Sequence, residues 1–259
     1  MVRVMYERGG FARLLASDGP TVFGTWVKLP TLETVELLGH AGFDFIVVDM
    51  EHAPLTLESA YRAIVVAQAM GMGALVRVPD RSDSHLQRLL DAGADGILVP
   101  RVTDAATCRA SVDAMRFSPT GVRGMGSTSR AGRWGLDGAA DYLQHGSTGI
   151  VRGVQVEDQG GLRVIDEILA VEGLSALFIG TSDLSLSSGL PATHPDNDEL
   201  IAKTLAACRA RGLPCGTAVG DAAAARAAVE RGFRFVMVSN DATMFAKAAV
   251  DLRRAISAT

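Results

Sequence analysis

Eight short apolar runs recur along the chain with amphipathic stretches between them, and this alternation restricts the possible folds most. The runs cover residues 21–27, 44–50, 74–78, 96–100, 149–156, 176–180, 215–219 and 235–238. Most are too short for helices and rich in Val and Ile, as strands buried on both faces are. Helical periodicity covers 32–40, 57–70, 84–91, 105–116, 197–211 and 222–231. Gly42, Gly71, Gly93, Gly212 and Gly232 each follow one of these helices, where a left-handed residue ends the helix before the next strand. The 259 residues suit one barrel and are too few for two average domains plus a linker. The expectation is therefore an α/β protein, a single (β/α)8 TIM barrel over 1–259. An open doubly wound sheet would need a Gly-rich turn after its first strand, where the sequence has Val27-Lys28-Leu29-Pro30.

Composition narrows the partners. With 25 basic and 29 acidic residues the net charge is −4, and no basic stripe or arm is visible, so nucleic acid is excluded. No stretch reaches the ~18 uncharged apolar residues of a membrane span, and residues 1–20 lack a signal-type apolar core. The expected location is the cytoplasm. Cys108, Cys208 and Cys215 are odd in number and lack zinc spacing, so they read as buried thiols. One segment breaks the rhythm: residues 117–137, rich in Gly, Ser and Arg, form a long insertion expected to cover a site or an interface.

In a barrel, chemistry collects at the carboxyl ends of the strands. The second strand runs into Asp49-Met50-Glu51-His52-Ala53-Pro54 and the third into Val76-Arg77-Val78-Pro79. The fifth ends Gln155-Val156-Glu157-Asp158, and the sixth leads to Gly180-Thr181-Ser182-Asp183-Leu184. Glu157 and Asp183 come from adjacent units and could share a divalent cation, with substrate oxygens and water completing its shell. Taken singly, an Asp before Leu-Ser more often caps a helix, and a Glu at a strand end is more often solvated. Arg77 inside an apolar strand is harder to dismiss, because an unpaired buried cation is costly. Lysine offers a negative test, since a Schiff-base aldolase needs a desolvated lysine in the barrel mouth. Only Lys28, Lys203 and Lys247 exist, the last two in helical patterns and Lys28 read as a loop charge, so imine chemistry is disfavoured.

These segments resemble the HpcH/HpaI aldolase family, the metal-dependent class II pyruvate aldolases. The match runs through Asp44–Pro54, Val76–Pro79, Leu89-Leu90-Asp91-Ala92-Gly93-Ala94, Ser118–Gly124, Gln155-Val156-Glu157 and Phe178–Ser185. The resemblance implies cleavage of a 4-hydroxy-2-oxo acid into pyruvate and an aldehyde, with oxaloacetate decarboxylation as a side activity. It implies Glu157 and Asp183 as ligands of Mg2+, Mn2+ or Co2+, and Arg77 as donor to the 2-oxo oxygen. His52, oriented by Asp49, would be the base. Gln155 would lie beside the metal, Gly180, Thr181 and Ser182 would hold the pyruvate carboxylate, and Arg123 would help bind the aldehyde half. Asp91 would reach across a subunit boundary in a hexamer, a trimer of dimers, whose last helix, here 245–256, is exchanged between neighbours. The alternatives are an acyl-CoA ester lyase of the citrate, malyl or citramalyl type, and a non-catalytic barrel subunit. The chain departs from the family in Gly180-Thr181 for the frequent Gly-Pro, in Glu157-Asp158 for Glu-Thr, and in Arg101 for an apolar residue. Arg101 reads equally as a receptor for an acidic substrate tail and as the partner of an acidic neighbour.

Overall fold

Each apolar run becomes a strand, and parallel pairing in chain order closes the eight into a barrel. The computed structural model describes residues 7–16 and 18–257, so the first six residues of the leader reading lie outside the described residues. The strands are β1 (Val22–Val27), β2 (Phe45–Asp49), β3 (Gly73–Arg77), β4 (Gly96–Val99), β5 (Val151–Val156), β6 (Ala176–Ile179), β7 (Cys215–Val219) and β8 (Phe235–Asn240). Closure is made by β1 against β8, with Val22 opposite Phe235, while Gly24 stands opposite Phe45 of β2.

The expected helices are α2 (Leu32–Ala41), α3 (Leu57–Ala69), α4 (Asp83–Asp91), α5 (Ala105–Asp113), α10 (Pro195–Ala210), α11 (Ala222–Arg231) and α12 (Asp241–Ser257). Their starts follow from local chemistry: Asp104 and Asp221 accept the backbone N–H three residues on, capping α5 and α11. Gly42 and Gly232 end α2 and α11 in the left-handed conformation. Five further helices are α1 (Gly10–Ala16), α6 (Ala139–Thr148), α7 (Gln159–Arg163), α8 (Ile165–Leu169) and α9 (Thr181–Ser188). No helix among the described residues is long and apolar enough to cross a membrane. All three cysteines are buried and free, as expected.

Two apolar layers result from strand alternation. Val48, Val76, Val99 and Ile179 face outward under the helices, whereas Val47, Leu75, Leu98 and Phe178 fill the barrel. The interior holds an aromatic column. Phe11 of α1 plugs the amino end against Phe45, and contacts continue through Phe235 and Phe178 to Trp26. Gly24 and Gly216 make room for it, since a Cβ would stand 2.5 Å from the Phe45 ring and 2.2 Å from the Phe235 ring.

The insertion 117–137 differs from expectation in place and in order. It follows α5 and precedes β5, so it is a helix-to-strand connection, and those lie at the amino end of a barrel. It contains a 3-10 helix, Arg130–Gly135, and Arg130 donates to the Ala92 carbonyl at 3.1 Å and to Gln68 at 2.7 Å. The insertion therefore does not cover the mouth of its own barrel.

Candidate active site

The strand phase that fills the barrel also aims its functional groups. Asp49 continues the inward series Phe45, Val47; Arg77 continues Gly73, Leu75; and Gln155 continues Val151, Gly153. At the carboxyl mouth the series extends past the strands to Lys28, Glu51 and Glu157.

Asp49 is fully buried and forms the floor of the site. Arg77 grips it through Nε to Oδ1 at 3.0 Å and Nη2 to Oδ2 at 2.8 Å. The guanidinium lies 4.1 Å above the Trp26 ring, which supports it from below. The Lys28 ammonium also donates to Asp49 Oδ2. Lys28 is thus drawn into the mouth and is not the loop charge expected; it occupies the inward phase two residues beyond Trp26. Burial pushes the Asp49 pKa up, but the Arg77 hydrogen bonds and charge and the Lys28 contact outweigh it and hold the value at about 2.

Beside this pair stand the carboxylates. Glu157 is buried, and its Oε1 accepts the Arg101 backbone N–H at 3.0 Å while Oε2 accepts from Gln155 Nε2. Burial raises its pKa to about 6 despite the Gln155 hydrogen bond, and the nearby charges of Asp183 and Glu51 add to the rise. Groups that raise one another's affinity for a proton favour any cation in the same way, and all-oxygen donors suit a small hard divalent ion. The residues present therefore fit such an ion. Gln155 Oε1 is a buried acceptor without a hydrogen-bond partner next to them. Among the described residues no group of three or more His, Cys, Asp or Glu could hold a metal alone. Asp183 lies inside the first turn of α9 and is not its cap; Gly180 precedes the helix, and no side chain caps the turn that Thr181 and Ser182 open.

His52 is at the same mouth with its ring largely exposed. Asp49 Oδ1 accepts the backbone N–H of His52 at 3.1 Å, whereas the ring Nε2 stands 3.7 Å from Glu51 Oε2. Glu51 also lies 3.4 Å from Arg77 Nη1 and 3.3 Å from Arg101 Nε. Arg101 thus pairs with an acidic neighbour in this state. From sequence alone Glu51 has no assigned role and Lys28 reads as a loop charge; extending the two-residue phase past the ends of β1 and β2 finds both.

Two expected site residues are not brought to this mouth. Asp91 ends α4 just before β4 and so lies at the amino end, where Arg123 donates to its Oδ1 at 2.8 Å. The Arg123 side chain is 2% exposed and stacks 4.5 Å from the Phe117 ring. The expectation that Arg123 meets the aldehyde is corrected for its own barrel: the guanidinium is enclosed under Asp91 at the opposite end. Tyr142 of α6 completes the cluster, taking the Gly126 N–H at 3.1 Å and standing 3.3 Å from Asp91 Oδ1.

Comparison with known proteins identifies the family. The family model described as HpcH/HpaI aldolase/citrate lyase matches residues 23–248. A 2-dehydro-3,6-dideoxy-6-sulfogluconate aldolase of Pseudomonas putida is 35% identical over 232 residues, covering 88% of this chain and 90% of that protein. A hydroxypyruvate/pyruvate aldolase of Roseobacter denitrificans is 35% identical over 231 residues, again 88% and 90%. The crystal structure of an HpcH/HpaI aldolase/citrate lyase family protein from Burkholderia cenocepacia superposes with a TM-score of 0.89 at 32% identity, covering 96% of this chain and 99% of that one. On the match over residues 23–248 and these likenesses, the chain belongs to the HpcH/HpaI aldolase/citrate lyase family.

Proposed function

We propose that the protein is a divalent-metal-dependent aldolase that reversibly cleaves a 4-hydroxy-2-oxo acid into pyruvate and an aldehyde. The observation that carries this reading is the gathering, at the carboxyl ends of the strands, of the Arg77 guanidinium held on Asp49 and of Glu157, whose pKa the nearby charge of Asp183 helps to raise. Glu157 and Asp183 would hold Mg2+, Mn2+ or Co2+, with Gln155 beside them. When bound, the cation supplies the electrophile that polarises the 2-oxo group and steadies the enolate. Arg77, anchored on Asp49 through Nε and Nη2, would offer the 2-oxo oxygen its Nη1, which in this structure stands 3.4 Å from Glu51 Oε2. The uncapped first turn of α9, at Gly180, Thr181 and Ser182, takes the carboxylate of the substrate. His52 accepts the proton of the C4 hydroxyl as the C3–C4 bond breaks; C4 leaves as the aldehyde, and the electron pair passes to C3 as the enolate. Protonation at C3 then gives pyruvate. Protonation of the same enolate formed from oxaloacetate gives the decarboxylase side activity.

The named relatives are aldolases, which favours this over the acyl-CoA ester lyase reading. An assembly of several copies completes the proposal. Phe245, Leu252 and Ile256 of α12 are exposed apolar side chains, as a helix exchanged between neighbours in a hexamer would present. Asp91, held by Arg123, would then enter a neighbour's mouth.

The test is incubation of metal-free protein with a panel of 4-hydroxy-2-oxo acids, with and without each cation, pyruvate being coupled to a dehydrogenase. Pyruvate release restored by a cation is expected. No release with any cation would sink the reading, and activity that resists chelation but is blocked by borohydride would replace it with an imine route.

A further inference from the structure

Asp49 has no acceptor capacity left for the His52 ring. Its Oδ1 takes the Arg77 Nε–H at 3.0 Å and the backbone N–H groups of Glu51 at 3.2 Å and His52 at 3.1 Å. Its Oδ2 takes the Arg77 Nη2–H at 2.8 Å and the Lys28 ammonium. An ionised carboxylate offers about four lone-pair sites, and these five donors fill them. Glu51 is in the opposite condition. Its side chain is only 8% exposed, and Oε2, in an ion pair 3.4 Å from Arg77 Nη1, receives no hydrogen bond. The nearest ring nitrogen, His52 Nε2, stands 3.7 Å away. A buried carboxylate oxygen with an ion-pair neighbour but no hydrogen bond still gains from a donor. A short turn of the exposed His52 ring would supply that donor beside Arg77.

We propose that Glu51, and not Asp49, is the carboxylate that positions His52 in this chain, because Lys28 occupies the oxygen of Asp49 that the ring would otherwise use. The proposal rests on the aldolase reading for its chemistry. With Nε2–H donated to Glu51 Oε2, Nδ1 is the nitrogen that carries the free lone pair and accepts the substrate hydroxyl proton. The C4 O–H bond breaks, the N–H bond forms at Nδ1, and the charge gained by the imidazole is balanced by Glu51. Glu51 touches no reacting atom and is a positioning residue. Lys28 decides which carboxylate serves, since a neutral side chain at that place returns Asp49 Oδ2 to the ring.

The experiment is a double-mutant cycle of Glu51→Gln and Lys28→Met, read in kcat and KM and paired with a crystal structure of the Lys28→Met protein. Glu51→Gln in the otherwise native chain is expected to lower kcat about 100-fold with KM changed less than about threefold. In the Lys28→Met background the same change is expected to cost less than about fivefold, because the ring has moved to Asp49. Glu51→Asp, which keeps the carboxylate, restores a substantial part of kcat. The crystal structure should show the His52 ring on Asp49 Oδ2. An unchanged kcat in Glu51→Gln, an equal cost in both backgrounds, or a ring that stays by Glu51 in Lys28→Met overturns the proposal. A native protein that releases no pyruvate defeats the aldolase reading instead, and the ring position still decides the pairing.

Discussion

Arg77 holds Asp49 through two parallel hydrogen bonds, Nε to Oδ1 at 3.0 Å and Nη2 to Oδ2 at 2.8 Å, with the carboxylate wholly enclosed. Charge-assisted bonds of this fork geometry depend on both partners, so Asp49→Asn leaves Arg77 and Lys28 facing a neutral group. The expected loss is about 3–5 kcal/mol of stability, as for other broken buried pairs. The pH dependence has a definite sign. Burial opposes ionisation, but Arg77 and Lys28 bring the folded pKa from 3.8 to about 2. The contribution is therefore present above the unfolded value and lost as pH falls through about 2, and it amounts to roughly 2 kcal/mol. Urea unfolding along an acid series should show this loss, and Asp49→Asn should not.

Glu157 carries the opposite dependence. Burial, with the charges of Asp183 and Glu51 behind it, raises its pKa from 4.5 to about 6. In chelated protein its contribution is fully present below pH 4.5 and lost as pH rises through about 6, a change of roughly 2 kcal/mol. Added Mn2+ should then raise Tm more above that window than below it, because only the ionised carboxylate binds. Melts of chelated and loaded protein across the range check both signs. Glu157→Gln should remove the pH term and most of the metal effect; a Tm gain independent of pH would count against Glu157 as a ligand.

The barrel was legible because parallel strands buried on both faces announce themselves as Val- and Ile-rich runs, and β7 and α11 match their expected bounds. Arg77 and Glu157 could be placed on one rim because one ends β3 and the other directly follows β5, and His52 because it follows β2 within a family motif. Lys28 reads as a loop charge and Glu51 gets no role because they lie one or two residues beyond a strand, where a charge looks like solvated loop; only inward phase distinguishes them. The place of the 117–137 insertion was readable in principle from its position between α5 and β5. Its order was not, because Arg123 and Tyr142 close on Asp91 from segments distant in sequence. Which carboxylate His52 would meet depends on hydrogen-bond saturation at Asp49, and that is a property of assembled geometry.

Gly180→Ala separates metal binding from folding. Gly180 has an ordinary negative φ of −83°, so alanine meets no backbone strain there. Its Cβ would instead stand 2.7 Å from Glu157 Cβ and 2.8 Å from Glu157 Oε2. The carboxylate must move, and a displacement of that size at a ligand is expected to cost about 10- to 100-fold in metal affinity or activity. Because Glu157 Cβ is fixed to its backbone, the chelated variant should also lose some Tm, with far-UV spectra close to those of the parent, while metal titration shows the larger loss. Parental metal affinity would mean that Glu157 is not held where its function needs it.

Arg101 joins two roles that one pair of variants can separate. Its backbone is left-handed at φ 55° and donates its N–H to Glu157, while its side chain reaches Glu51. Glycine adopts this conformation freely, so Arg101→Gly keeps the N–H in place and removes only the guanidinium. A β-branched residue resists it, and Arg101→Val is expected to lose about 1–2 kcal/mol and to disturb Glu157 as well. Metal affinity should therefore fall in Arg101→Val and hold in Arg101→Gly. If the glycine variant loses affinity equally, the guanidinium and not the backbone supports the site.

Asp91 supplies a test of the assembly that needs no structure of it. The Asp91 carboxylate is fixed by Arg123 at 2.8 Å and approached by Tyr142 at 3.3 Å, yet α4 delivers it to the amino end, away from the mouth that holds Arg77. A single barrel cannot bring the two to one substrate. If Asp91 acts in a neighbour's mouth, Arg77→Ala and Asp91→Ala proteins are each inactive, but mixed assemblies contain some mouths with Arg77 from one chain and Asp91 from the other. Statistical mixing leaves about one mouth in four complete in that way, so co-refolded or co-expressed variants should regain up to about a quarter of parental kcat, whereas variants mixed without subunit exchange regain none. Arg123→Met, which releases Asp91 without removing it, should lower kcat with little change in metal affinity. Mixed assemblies that stay as inactive as their parents, with both variants shown to share one oligomer, would confine the site to a single chain and leave the Arg123–Asp91 pair as a brace for the insertion.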